Sequence, residues 1–437
     1  MDRIPPEIKS QILRLAFTDE DGHSTSKLMS KYATVSREWQ EHVESITFKG
    51  IYLNPRRLDE AKKIMTTSRQ NYVRVVHLGA SLWDRPNLGS SERDNAISIE
   101  FSQQLASLLD YLHGWNVTHA KVELVLILNF KYHGIRSLIS LRADVYRRLP
   151  NIHFITKFTI PTVRELKLNP MTCCEIASLF PNVRSIDWYL QLSLETFDSQ
   201  AQFRQNFAAA LALIPASVRD FTLSYRCVIL PSDLNAAGSL RPSSGAPDSL
   251  SVALRRLSNQ LETVHLDMVI DSEVFFGADM HPEEAHWPRM RAVTVVLGGK
   301  TSEGDNIFVP GATPALPIPV QKVVNQYYLA AGTAAAGMRN LKRLEISQRF
   351  PPTMMFEYLV NDATTGADLY ITDVKELKLP PNVEEVWWRA AREHLRTGAT
   401  LQVNLEDIGQ GITRQYTLSS NGQSSAPVRS LEQTITV

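Results

Sequence analysis

A short pattern, apolar-x-x-apolar-x-apolar, recurs along most of the chain. It stands at Val73-Val76-Leu78, Val122-Val125-Ile127, Val163-Leu166-Leu168 and Val183-Ile186-Trp188. It returns at Val218-Phe221-Leu223, Leu261-Val264-Leu266, Met290-Val293-Val295 and Leu341-Leu344-Ile346. A last copy, Val383-Val386-Trp388, also reads as a helix. Each copy predicts a short strand whose alternate side chains face inward. Several follow a proline that ends the preceding helix, as in Phe180-Pro181-Asn182, Ile214-Pro215-Ala216 and Trp287-Pro288-Arg289. Amphipathic helical segments lie between the strands at Ile97 to Leu112, Phe203 to Leu213, Leu250 to Leu257 and Val320 to Ala336.

Strand-then-helix order predicts an α/β fold, with a parallel sheet and its helices on one side. The three apolar positions are those of a leucine-rich repeat, so residues 51–395 read as a leucine-rich-repeat-like solenoid. The period is irregular: from Val163 the starts advance by 20, 35, 43, 29 and 51 residues. The array is therefore degenerate, with insertions. Ala236 to Asp248 and Gly298 to Pro319 read as loops, and residues 396–437 as a polar, partly disordered tail.

The first fifty residues differ. Ile4-Pro5-Pro6-Glu7 opens a helix, with Ile8, Ile12, Leu15 and Ala16 following at helical spacing. A second helical pattern from Lys27 to Val43 carries Leu28, Tyr32, Val35, Trp39 and Val43. Residues 1–50 cannot bury a full core alone, so part of their apolar face should seek a partner.

Lys+Arg and Asp+Glu are both 46, which gives the chain no global field for nucleic acid or an anionic membrane; neither is expected as a partner. Cys173, Cys174 and Cys227 are too few, and odd in number, for a disulfide framework. They fit a reducing intracellular compartment, cytoplasmic or nuclear. No apolar run approaches a membrane span, and the N-terminus lacks a signal-peptide stretch.

Motifs for chemistry are incomplete. Gly298-Gly299-Lys300-Thr301 resembles the end of a phosphate-binding loop, but Thr294 stands where the first glycine belongs. His281-Pro282-Glu283-Glu284-Ala285-His286 lacks zinc-helix spacing. Cys173-Cys174 has no matching pair and reads as buried free thiols on a helix. Trp387-Trp388 reads as core for at least one ring, and Arg142, Arg147 and Arg148 as a solvated face. No enzyme activity, cofactor or metal is expected.

The N-terminal residues Ile4-Pro5-Pro6-Glu7-Ile8, Ile12-Leu13 and Val35-Ser36-Arg37-Glu38-Trp39 resemble an F-box. That motif opens on Leu-Pro-x-Glu and closes on Val-Cys-Arg-x-Trp; Ile4 and Ser36 are departures, and the loop around Asp19 to Thr25 is long. Roughly residues 1–395 also resemble a fungal F-box group with a leucine-rich region. Leu261-Glu262-Thr263-Val264-His265-Leu266, Asp271 to Phe276, Trp287-Pro288-Arg289-Met290, Ala330 to Ala336 and Trp387 to His394 carry that likeness. The resemblance implies a substrate-recognition subunit of a Skp-cullin-F-box ubiquitin ligase. Ile4, Pro5, Pro6, Ile8, Ile12, Leu13, Val35 and Trp39 would meet the Skp-type adaptor. The alternative is a leucine-rich-repeat scaffold without a ligase partner, its N-terminal helices acting as a cap. In either case the exposed strand positions are the expected surface for a protein target: Arg164, Lys167, Arg184, Asp187, Arg219, Thr222 and His265.

Overall fold

A computed structural model describes residues 33–34, 36–82, 90–117, 121–130, 138–161, 168–192, 197–227, 239–241, 245–277, 280, 286–309, 318–348, 355–362, 366–372, 379–396, 399–407 and 410–417. The chain forms two compact units, Met1–Pro161 with Leu179–Val183 and Thr162–Ser178 with Arg184–Val437.

In the first unit, strands β1 (Gly50–Leu53), β2 (Val75–Leu82), β3 (Val122–Phe130) and β4 (Ile155–Ile160) pair in chain order, all parallel. Helix α1 (Arg37–Thr47) is capped by Ser36, whose hydroxyl accepts the Trp39 N–H at 3.3 Å. Trp39 and Ile46 pack on the buried Val43. Helices α2 (Leu58–Ile64) and α3 (Thr67–Tyr72) follow. The long α4 (Ser90–His113) packs on β2 through a stripe that includes Phe101, Leu105, Leu108 and Leu112, all buried.

Two rungs depart from the sequence reading. Strand β3 alternates without interruption, in unbroken register with β2, and Val122, Leu124, Leu126 and Leu128 face inward. The β3–β4 pairing passes from Val122↔Ile155 to Glu123↔Lys157, which leaves Thr156 of β4 as the extra residue. Val125 and Ile127 alternate onto the other face, because successive strand side chains point to opposite sides and Leu124 and Leu126 take the inward positions opposite Val76 and Leu78. The next rung is Ile155-Phe158-Ile160, all buried, ahead of the expected Val163-Leu166-Leu168. Residues 163–167 lie outside the described residues.

In the second unit, β5 (Ser185–Leu192), β6 (Asp220–Cys227), β7 (Thr263–Met268) and β8 (Ala292–Leu297) pair in parallel. Strands β9 (Phe308–Val309) and β10 (Ile318–Pro319) form a separate antiparallel pair. Strand β11 (Arg343–Gln348) joins β8 in parallel. Strands β12 (Met355–Asp362), β13 (Gly366–Ile371), β14 (Thr400–Asp407) and β15 (Gln410–Thr417) extend the same sheet in order. Only the β13–β14 pairing in this extension is parallel. Thr400–Asp407 and Gln410–Thr417, read from sequence as polar tail, are therefore sheet: the alternation Leu401-Val403-Leu405 buries one side of β14.

The rungs repeat atom by atom. A turn precedes each strand, in which the N–H of Val218, Leu261, Met290 or Leu341 donates to the carbonyl three residues back. One carbonyl then accepts two amides of the next rung. Arg184 O takes Arg219 and Asp220 N–H at 2.8 and 2.9 Å, and Arg219 O takes Glu262 and Thr263 at 2.7 and 3.0 Å. Glu262 O takes Arg291 and Ala292, and Arg291 O takes Lys342 and Arg343. Each rung thus templates its neighbour, as in a solenoid stabilised by nearest-neighbour contacts.

Helices α5 (Pro170–Ser178), α6 (Phe197–Ala210), α7 (Ser249–Ser258) and α8 (Gln321–Ala335) connect the rungs. Cys173 and Cys174 are fully buried on α5, and burial pushes both thiols up. The segment containing Val383-Val386-Trp388 is helix α9 (Pro381–His394), which buries Val383, Trp387, Ala390, Ala391 and His394 at helical spacing. Trp387 is core and Trp388 half-exposed.

Candidate interaction surface

Parallel register stacks equivalent residues into rows across the second unit. Ile186, Phe221, Val264, Val293 and Leu344 form a buried row. One residue further along, Asp187, Thr222, His265, Thr294 and Glu345 form a row on the opposite face. It continues through Glu357, Tyr370 and Asn404. A flanking row holds Ser185, Asp220, Thr263, Ala292 and Arg343. All these residues keep solvent access, while the connecting helices bury the other face. The rows form a polar sheet face about 4.8 Å per strand in pitch.

Hydrogen bonds across the strands hold this face in order. Thr263 Oγ1 donates to Asp220 Oδ1 at 2.6 Å and Ser224 Oγ to Asp267 Oδ2 at 3.2 Å. Arg343 bridges Glu357 at 2.7 Å and Glu345 at 2.9 Å. Burial, followed by the charges of Asp368 and Glu357, pushes the Tyr370 phenol up. In the first unit, Glu123 accepts from Thr159 Oγ1 at 2.7 Å and pairs with Lys157 at 2.9 Å. Burial opposes the Glu123 carboxylate, yet these partners hold it below the usual range.

The sequence-predicted residues divide. Asp187, Thr222 and His265 share one row of the open face. Arg184 and Arg219 stand one step before their strands, at the sheet border, and Arg219 turns its guanidinium onto Ala216 O and Val218 O, both at 2.7 Å. Arg164 and Lys167 lie outside the described residues, as do Ile4, Pro5, Pro6, Ile8, Ile12, Leu13 and Val35. Trp39 is half-buried against Val43. The sequence reading missed Arg343, Glu345, Glu357 and Tyr370; strict alternation such as Phe356-Tyr358-Val360 was the signal that could have found β12 and its neighbours.

A second polar cluster is buried on the helical side. Arg204 clasps Asp248 through Nε at 3.1 Å and Nη2 at 2.6 Å. Asp248 also caps α7 through the Ser251 N–H. Ser251 Oγ accepts the Asp271 N–H, and Asp271 accepts from Ser302 N and Oγ and from Arg241. Burial is the largest influence on the Asp248 carboxylate and opposes its charge, but the Arg204 charge together with the hydrogen bonds from Arg204 and Ser251 holds its pKa below the usual value. Burial raises Glu273 at the rim of this cluster. The acids and bases saturate one another and pin three loops to α6 and α7. That is the chemistry of a fastener rather than of a reacting site.

The Gly298-Gly299-Lys300-Thr301 loop folds back as a tight ribbon, with a bridge from Lys300 to Asn306 and Thr301 N donating to Asp305 O at 2.8 Å. It does not open a helix as a phosphate loop requires. In the first unit, a groove of ≈ 380 Å³ beside β1 is lined mainly by apolar residues, among them Phe48, Leu53, Ile64 and Met65, with Thr47, Arg57 and Glu60 also on its wall. No described helix is long and apolar enough to cross a membrane.

Residues 214–423 match a family of unknown function, DUF6546; the match begins at the turn before β6 and covers most of the second unit. No curated protein matches the chain. Among solved structures, the leucine-rich repeat-containing protein LegL7 from Legionella pneumophila is similar over 72% of this chain and 80% of its own, at 12% identity and a TM-score of 0.25. The solenoid description rests on the repeating rungs themselves.

Proposed function

We propose that this chain is a non-catalytic protein-interaction receptor that presents a target on the open sheet face of its second unit. The observation that carries this reading is the polar row from Asp187 to Glu345, set in register and left solvent-accessible by the described helices. Solenoids use such extended strand faces to bind proteins. Neither the buried cluster nor the Gly299 loop offers a competing reaction chemistry.

More specifically, the chain serves as the substrate-recognition subunit of a Skp-cullin-F-box type ubiquitin ligase. Support comes from the sequence motif of residues 4–39, with Ile8 and Trp39 as apolar anchors toward the adaptor. The receptor then acts by proximity: it raises the effective concentration of a target lysine near the conjugating enzyme. A scaffold without a ligase partner is the alternative.

Co-expression with a Skp-type adaptor separates the two. The wild-type chain co-elutes with the adaptor on gel filtration, and Ile8→Asp with Trp39→Ala abolishes co-elution while unit melting is retained. Failure of the wild-type chain to co-elute would remove the ligase assignment and leave the scaffold.

A further inference from the structure

The second unit's sheet has a charged border distinct from its open face. The residue before each strand stacks on its equivalent in the next rung, because one carbonyl accepts two neighbouring amides at every step. This row reads Arg184, Arg219, Glu262, Arg291 and Lys342. Arg184, Arg291 and Lys342 are exposed, whereas Arg219 spends its guanidinium on carbonyls of its own turn. Glu262 is the row's one carboxylate and reaches Arg291 only at 3.7 Å. The adjoining turns and helix end add Arg256, Arg289 and Arg339, all exposed. Among the described residues, no carboxylate forms an ion pair with Arg184, Arg256, Arg289, Arg339 or Lys342.

A structural explanation covers only part of this. Arg256 sits in the last turn of α7, where a cation complements the helix dipole. Arg184, Arg291 and Lys342 stand at strand entries and gain nothing of that kind. A chain with no net charge has therefore concentrated cations along one sheet border, where among the described residues Glu262 supplies a carboxylate only to Arg291.

Its dimensions fit an extended peptide. Four strand intervals of ~4.8 Å carry the row about 19 Å from Arg184 to Lys342, roughly the length of six extended residues. Guanidinium groups recognise carboxylates through paired hydrogen bonds. Single-stranded nucleic acid is the poorer fit, since its binding adds exposed aromatic rings for stacking. The one Trp of these turns, Trp287, is buried and donates its indole N–H to Ser258 Oγ at 2.7 Å. We propose that this border binds an extended protein segment rich in Asp and Glu. The proposal rests on the interaction reading above, but it concerns the border and not the adaptor motif, so the two fail in different experiments.

The test uses the full chain and a fluorescein-labelled oligoglutamate peptide about eight residues long, read by anisotropy. The wild-type chain binds it at low salt and releases it at about 0.5 M NaCl, where screening is short-ranged. The triple variant Arg184→Glu, Arg291→Glu, Lys342→Glu loses about tenfold or more in affinity, equivalent to ~1.4 kcal/mol. Thr222→Ala with His265→Ala on the open face leaves this binding unchanged. The same three positions changed to Gln provide the deciding variant if the charge-reversed chain does not melt cooperatively. Three results would overturn the proposal. One is wild-type affinity no higher than for a Gly-Ser peptide, and another is unchanged affinity in the Gln variant. The third is tighter binding of an oligothymidylate of equal length that depends on the same three border residues. Loss of adaptor co-elution with oligoglutamate binding intact would instead count against the ligase reading alone.

Discussion

His394 shows how single side chains are fixed in this fold. Its Nε2 lies 3.0 Å from Met338 O, a carbonyl that can only accept, so that nitrogen carries the proton. Nδ1 must then accept from the Tyr358 hydroxyl, also at 3.0 Å. Burial lowers the His394 pKa from its ordinary 6.5, against the opposing pull of the Met338 and Ala335 carbonyls and Glu393; Lys342 adds to the lowering. A histidine held neutral in the fold contributes stability that is full above the unfolded pKa. That contribution falls as pH drops through about 6.5 toward the folded value, because the unfolded chain takes the proton first. His394→Gln keeps one donor and one acceptor but cannot titrate. In urea denaturation between pH 7.5 and 5.5, the wild-type chain should lose stability relative to this variant, by at most about 1.4 kcal/mol per pH unit. Parallel pH profiles would show that His394 is not held neutral. The role of this histidine was hidden in the sequence, since the contact joins residues 36 positions apart. The same holds for Asn182, Gln260 and Asn340, whose amides donate to the turn carbonyls of His153, Pro215 and Pro288. They precede their strands and mix Asn with Gln, so they do not read as a repeat consensus.

Elements follow the apolar pattern wherever a strand keeps its register. Val218-Phe221-Leu223, Leu261-Val264-Leu266, Met290-Val293-Val295 and Leu341-Leu344-Ile346 are all buried, as their spacing requires. The β3 rung departs because its register with β2 sets Leu124 and Leu126, not Val125 and Ile127, opposite the inward Val76 and Leu78, a choice that an almost wholly apolar stretch does not reveal. Strands β12 to β15 escaped the pattern because their pairing is largely antiparallel, which replaces the repeat's spacing by simple alternation. Helix packing adds a requirement of its own. A Cβ on Gly332 of α8 would lie 2.7 Å from Val386 Cγ2 and 2.9 Å from Trp387 Nε1 on α9. The same indole N–H donates to Tyr328 O at 3.0 Å, so the close approach fixes that bond as well. Gly332→Ala should therefore destabilise the chain by about 1–3 kcal/mol through overpacking, despite alanine's higher helix propensity. Equal or raised stability in thermal denaturation would mean that α8 and α9 can separate without cost.

At the scale of the whole molecule, function follows from repetition. Each rung adds a residue to each row of the open face and one to the border, so weakly specific side chains become long ordered rows. Among the described side chains, the open face of the second unit holds Asp187, Asp220, Asp267, Glu345, Glu357 and Asp368 against Arg343, whereas its border is cationic. Zero net charge concealed this separation, because opposite signs accumulate on different sides of one sheet. Alternation made Asp187, Thr222 and His265 legible as surface, while their alignment into one row depended on loop lengths that the sequence does not encode simply. The open face is tested most directly by quantitative affinity capture from cell lysate. The wild-type chain would be compared with a Thr222→Arg, His265→Glu, Glu345→Arg variant of equal melting temperature. If this face is the receptor surface, the variant loses specific partners by about tenfold or more while retaining those that depend on residues 4–39. An identical capture profile for the two chains would contradict the assignment and move target binding off the open face.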